Sequence, residues 1–145
     1  MRSLMIGLVA LATGAVPLHA QDLAAGESSF RKCQPCHDVG ESARTKIGPV
    51  LNGMDGRKAG TVEGYGYSDA NKNSAIVWSE TTFKDYIQEP MVKMPGTKMA
   101  FAGVKNDKEI GDLWGYLKQF SPDGKKHESY PPSACRPPPA GSPQR

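Results

Sequence analysis

Histidine and cysteine are scarce in this chain, with three of each among 145 residues. Neither class of charge dominates. The formal net charge is +3 and 23% of residues are charged, which excludes an acidic disordered chain and leaves no strong nucleic-acid footprint. Aromatic residues reach 8% and hydrophobic residues 38%, enough for a compact core but not a generous one. After the first segment no apolar run approaches the ~20 residues of a membrane span. No apolar–polar alternation marks strands and no internal repeat is visible. These absences leave a single domain of ordinary size.

What is present divides the chain into three parts. In residues 1–20, Arg2 precedes an apolar stretch from Leu4 to Ala15, and Pro17-Leu18-His19-Ala20 offers a small residue before Gln21. This is the pattern of a signal peptide, so cleavage, export to the periplasm and no membrane span after cleavage are expected. Residues 21–120 carry 13 basic and 13 acidic side chains and form the expected domain. Residues 121–145 hold seven of the twelve prolines and an excess of positive charge, so a disordered or polyproline extension is expected there.

Three helical stretches can be read inside the domain. Gly26, Phe30 and Cys33 fall on one stripe, which predicts a helix from about Asp22 to the first cysteines. Ser79 caps a second helix in which Phe83, Tyr86 and Ile87 share a face, ending before Pro90. Asn106 with Glu109 reads as a capping box for a third, followed by Ile110, Leu113, Trp114 and Leu117 at helical spacing. Between the first two lies a long glycine-rich stretch from Gly40 to Gly66. The expectation is an all-α domain whose long loops wrap something.

Cys33-Gln34-Pro35-Cys36-His37 names what they wrap, because C-x-x-C-H is the attachment signature of c-type haem. Two thiols at this spacing bond one porphyrin, and the following imidazole reaches the iron as proximal ligand. A thioredoxin-like dithiol would sit in a βαβ pattern, which is lacking. Zinc would need further ligands, and only Cys135, His19 and His127 remain, His19 in the export segment and the other two in the tail. With no histidine left in the domain, the sixth iron position falls to a methionine: Met54, Met91, Met94 or Met99. Met is most often a core filler. Met99 differs in ending Pro95-Gly96-Thr97-Lys98-Met99, a rigid turn able to present a thioether at a fixed point.

From Gly26 to Leu117 the chain resembles the class I c-type cytochromes, in particular the mitochondrial-like branch with its bacterial relatives. The resemblance rests on Cys33, Cys36 and His37, on Gly48-Pro49 with Leu51 and Gly53, and on Gly56-Arg57-Lys58, Gly60, Gly64, Tyr67, Asn71-Lys72-Asn73 and Trp78. Pro90, Pro95 to Phe101, Leu113 and Tyr116-Leu117 complete it. It implies a small cytochrome c fold of three to five helices around one haem c attached through Cys33 and Cys36. It also implies Met99 as sixth ligand, with Met94 the nearest competitor. By the same resemblance the Pro49 carbonyl orients His37, Arg57, Tyr67 and Trp78 hold a buried propionate, and Asn71, Tyr86 and Thr97 form a polar network beside Met99.

The implied function is that of a monomeric periplasmic electron carrier with no substrate chemistry. It would accept electrons from a cytochrome bc complex or a dehydrogenase, and pass them to an oxidase, a reductase or a photosynthetic reaction centre. Lys32, Lys46, Lys98 and Lys105 match part of the family's docking ring. Met91 and Val92 stand where the family often has lysines, and Glu27 replaces another. The competing reading is a haem enzyme or gas sensor with a labile Met ligand. In the tail Cys135 is left odd, an inert thiol or a tethering one.

Overall fold

Asp22 starts the first helix, its carboxylate accepting from the N–H groups of Ala24 and Ala25, and α1 runs Leu23–Phe30. In this computed structural model residues 21–127 are described; the expected export segment, residues 128–145 and Cys135 lie outside the described residues. α1 stops short of the cysteines. The N–H groups of Arg31, Lys32 and Cys33 bond to carbonyls three residues back, tightening the chain into narrower turns. The His37 N–H then reaches the Cys33 carbonyl at 2.9 Å, so the whole C-x-x-C-H run is wound as helical turns beyond α1.

The other helices are α2 Asp69–Lys72, α3 Glu80–Gln88, α4 Pro90–Lys93 and α5 Asp107–Leu117. Among the described residues the only sheet-like pairings are isolated bridges, Lys58 with Val77 and Phe120 with Lys126. Ser79 caps α3 through a full capping box with Thr82, and Phe83, Tyr86 and Ile87 are its buried face. Pro90 both ends that helix and begins α4, since its fixed φ and missing N–H suit a first helical position. α2 and α4 span four residues each, too few to show periodicity in the sequence.

At α5 the expected capping box forms only by half. The Asn106 side chain accepts from the Glu109 N–H at 2.9 Å. The Glu109 carboxylate turns instead to α1, where it accepts from Ser29 Oγ at 2.6 Å and pairs with Lys32. A tertiary charge contact has taken the group that a local cap would have used. Asn106→Ala is expected to lower stability by about 1 kcal/mol, read as a lower denaturation midpoint with unchanged denaturant slope.

α5 supplies more of the core than any other helix, with Ile110, Leu113, Trp114, Tyr116 and Leu117 buried. It crosses α1, where the Phe30 and Tyr116 rings lie 5.5 Å apart. It also meets α3, where Phe83 and Trp114 lie 5.2 Å apart. Asp112 is buried at the first crossing and accepts from the Asp22 N–H at 2.9 Å and from Lys108 at 2.6 Å. The chain does not leave the domain at Phe120. Residues 121–127 turn back, the His127 N–H bonding to the Gln119 carbonyl at 2.8 Å and Lys126 Nζ lying 5.3 Å from the Tyr116 ring centre. Among the described residues no helix is long and apolar enough to cross a membrane.

Candidate functional site

The helices and loops leave between them a cavity of ≈ 220 Å³. Cys33, Cys36, His37, Pro49, Arg57, Tyr67, Asn71, Trp78, Tyr86, Thr97 and Met99 all line it, drawn from stretches up to 66 residues apart. The rest of the wall is largely aliphatic and aromatic, including Leu51, Phe83, Ile87, Phe101 and Leu117.

His37 is held from one side. Its Nδ1 lies 2.7 Å from the Pro49 carbonyl oxygen. A carbonyl can only accept, so Nδ1 carries the proton and Nε2 keeps its lone pair. Gly48 makes this approach possible: a Cβ there would sit 2.3 Å from His37 Cε1. Burial lowers the imidazole's pKa and outweighs the Pro49 bond, so the ring is neutral and able to donate its lone pair. Burial likewise pushes the Cys33 thiol up to about 11.

Met99 is held through a chain of long hydrogen bonds. The Tyr86 hydroxyl lies 3.4 Å from Met99 Sδ and 3.4 Å from Thr97 Oγ1. Thr97 Oγ1 in turn lies 3.4 Å from Asn71 Oδ1 and accepts from the Met99 N–H at 3.3 Å. Ser68, the N-cap of α2, donates to Asn71 Oδ1 at 2.9 Å and completes the network. Its sequence signal was the Ser three residues before Asn71. Met54 also reaches the cavity, whereas Met94 is buried without lining it and Met91 is 56% exposed.

The expected propionate group is arranged differently from a simple convergent set. Arg57 Nη1 donates to the Asn52 carbonyl at 2.6 Å and Nη2 to the Val50 carbonyl at 3.3 Å. Two of its N–H groups thus brace the loop behind His37, while Arg57 still lines the cavity. Tyr67 packs edge-on against Tyr65, whose hydroxyl donates to the Ile47 carbonyl at 2.8 Å. Trp78 meets Tyr86 edge-on with centroids 5.2 Å apart, joining the two halves of the wall.

The donor set fits a haem. A flat apolar macrocycle needs an apolar slot, two thiols at its edge, and two axial donors. The cavity offers all of these, with a lone-pair nitrogen at His37 and a thioether at Met99. Cys33 and Cys36 are free and half-buried. Among the described residues no group of three or more His, Cys, Asp or Glu side chains is gathered as a simple metal site.

No family model matches the chain. It is 67% identical over 106 residues to a cytochrome c2 of Rhodoplanes tepidamans, covering 73% of this chain and 99% of that protein. A cytochrome c2 of Blastochloris viridis is 54% identical over 126 residues, 87% of this chain and 99% of that one. In three dimensions it is similar to cytochrome cH from Methylobacterium extorquens, with a TM-score of 0.63 and 41% identity over 67% of this chain and 97% of that one.

Proposed function

The chain belongs to the class I c-type cytochromes, with one haem c attached through Cys33 and Cys36, and from this we propose a periplasmic electron carrier with His37 and Met99 as axial ligands. Held by Cys33, Cys36, His37 and Met99, the haem would supply one-electron chemistry, and the residues of the chain would hold and enclose it.

The observation that carries this reading is the pairing of donors in one cavity. His37 presents an uncommitted lone pair because Pro49 fixes its tautomer, and Met99 is oriented by Tyr86. The other described histidine, His127, is exposed at the end of the packed turn. No second imidazole in the cavity wall can act as a distal acid or base. With a haem in place, the apolar wall would limit water at the site and so the reorganisation that accompanies a change of charge. Trp78, Tyr67 and the free part of the Arg57 fork are the donors available to a buried propionate, which would be costly without partners.

Export completes the reading. Arg2, the apolar stretch and Ala20 support removal of residues 1–20, leaving a domain that begins at Gln21. Donors such as a cytochrome bc complex or a dehydrogenase, and acceptors such as an oxidase, reductase or photosynthetic reaction centre, are the partners proposed.

The test is the visible spectrum of the purified, dithionite-reduced holoprotein before and after carbon monoxide. The expected result is a c-type spectrum that the gas leaves unchanged. A rapid spectral shift would show an open sixth position and replace the carrier by a gas-binding or peroxidase-like protein.

A further inference from the structure

Residues 121–127 close first on themselves and then on the loop that holds His37. The Gly124 N–H bonds to the Ser121 carbonyl at 2.8 Å, and the Ser121 N–H to the Lys125 carbonyl at 3.0 Å. The Ser121 hydroxyl donates to the Asp123 carboxylate. Lys126 Nζ lies 5.3 Å from the Tyr116 ring centre and 5.5 Å from that of Phe120, which fastens the turn to the end of α5.

Two glycines let this turn reach the loop. Gly53 donates its N–H to the Phe120 carbonyl at 2.8 Å, and a Cβ added to it would lie 2.8 Å from Pro122 Cγ. A Cβ added to Gly124 would lie 2.2 Å from the Gly40 carbonyl oxygen, at a φ of +84° that suits glycine. Gly40 is joined to Asn52 twice at 2.9 Å, its N–H donating to Oδ1 and its carbonyl accepting from Nδ2. The Asn52 carbonyl accepts from Arg57, and three residues earlier the Pro49 carbonyl meets His37. None of residues 121–127 lines the cavity, so any effect there passes through this loop.

We propose that residues 121–127 are a clasp that positions the Pro49 carbonyl against His37, and so sets how strongly His37 donates to the haem iron. This rests on the reading of His37 as an axial ligand. Donation of the Nδ1 proton to a carbonyl makes an imidazole more basic, and a stronger donor favours ferric iron. The clasp bears on both strands of the loop, at Gly53 and at Gly40. Contacts this close transmit a displacement rather than absorb it. A loop released at that end holds Pro49 less firmly, and the imidazole becomes a weaker donor.

The test uses full-length holoprotein carrying Gly124→Ala, Pro122→Ala or Asn106→Ala. Gly124→Ala forces the clasp off Gly40. Pro122→Ala removes the ring against Gly53 and is the milder change, should the first not fold. Asn106→Ala loosens the opposite end of α5 and is the control for stability alone. Potentiometric titration is expected to shift the electron-exchange equilibrium about threefold toward the reduced form in both clasp variants, roughly 30 mV at 59 mV per tenfold. Asn106→Ala should leave it unchanged. In proton NMR of the reduced protein, the His37 Nδ1–H should exchange with water about tenfold faster in the clasp variants, as a locally opened loop allows. A potential unchanged or lowered in both clasp variants would overturn the proposal. An equal rise in Asn106→Ala would overturn it too, because overall stability would then be the cause. Ferric wild-type protein separates the two readings. Without hyperfine-shifted His37 ring protons, His37 is no ligand; with them, and with unshifted potentials in the variants, the clasp alone is rejected.

Discussion

Met99→Ala holoprotein is expected to react with carbon monoxide when reduced, and to lose reduction potential on the order of 0.2 V. Axial ligands shift haem potentials over a range of ~0.8 V, and a thioether raises the potential because a soft donor favours ferrous iron. Alanine removes both the donor and the closure of the site. The two cavity-lining methionines make the assignment decidable. Met54 is 5% exposed and touches the same space, but it follows the loop that carries Pro49 and Leu51, and Tyr86 makes its sulfur contact with Met99. Met54→Leu should therefore leave both the potential and the inertness to carbon monoxide nearly unchanged. Should the two variants exchange behaviours, Met54 is the ligand and the Tyr86–Thr97–Asn71 chain supports something other than the iron. Potentiometric titration and the difference spectrum read the two effects independently.

The cavity was legible in the sequence to an unusual degree because its chemistry is written in short local signals. C-x-x-C-H is contiguous, and Pro95 to Met99 is a turn whose composition sets its shape. The helices with strong periodicity, α3 and α5, were equally plain, and Ser79 and Asn106 do cap them. What the sequence could not show are choices made between distant groups. Glu109 had a local role available in its own helix and took a partner 80 residues away, Ser29, because the crossing of α1 and α5 brings a hydroxyl and the Lys32 ammonium within reach. The same holds for the lysines. Read singly they suggest a basic ring; folded, Lys46 and Lys105 each find a carboxylate on a neighbouring loop or helix end. Arg57 likewise turns two N–H groups to backbone carbonyls that only the loop's path brings near. Residues 121–127, which composition groups with the tail, make contacts of the same long-range kind. Proline marks where helices and strands stop, yet Pro122 packs beside Gly53, and the order continues to His127 through backbone pairing.

Gly26→Ala tests the junction on which the whole arrangement depends, and the expected sign runs against helix propensity. In an ordinary helix interior alanine is better than glycine by about 1 kcal/mol. Here the added Cβ would lie 2.1 Å from the Asp112 carbonyl oxygen and 2.8 Å from Tyr116 Cβ. The first obstacle is backbone, so relief requires α5 to move away from α1. Such a shift also strains the Asp22–Asp112 and Ser29–Glu109 hydrogen bonds across the same crossing. Overpacking of this kind costs ~1–3 kcal/mol, and the weakened bond to a buried carboxylate adds ~1 kcal/mol or more. A net loss of about 3 kcal/mol is expected, a midpoint lower by roughly 15 °C for a domain of this size. The consequence reaches the site, because the turns bearing Cys33, Cys36 and His37 continue from α1, while Leu117 on α5 lines the cavity. Gly111→Ala is the matched control. It lies on α5 with nothing within 4 Å of its added Cβ, so it should raise stability by up to about 1 kcal/mol. Thermal unfolding followed by far-ultraviolet circular dichroism reads both, and the yield of haem-bearing protein should fall for Gly26→Ala alone. Equal and small effects from the two substitutions would mean that α1 and α5 are not locked at this crossing, and that the cavity keeps its shape by the loops instead.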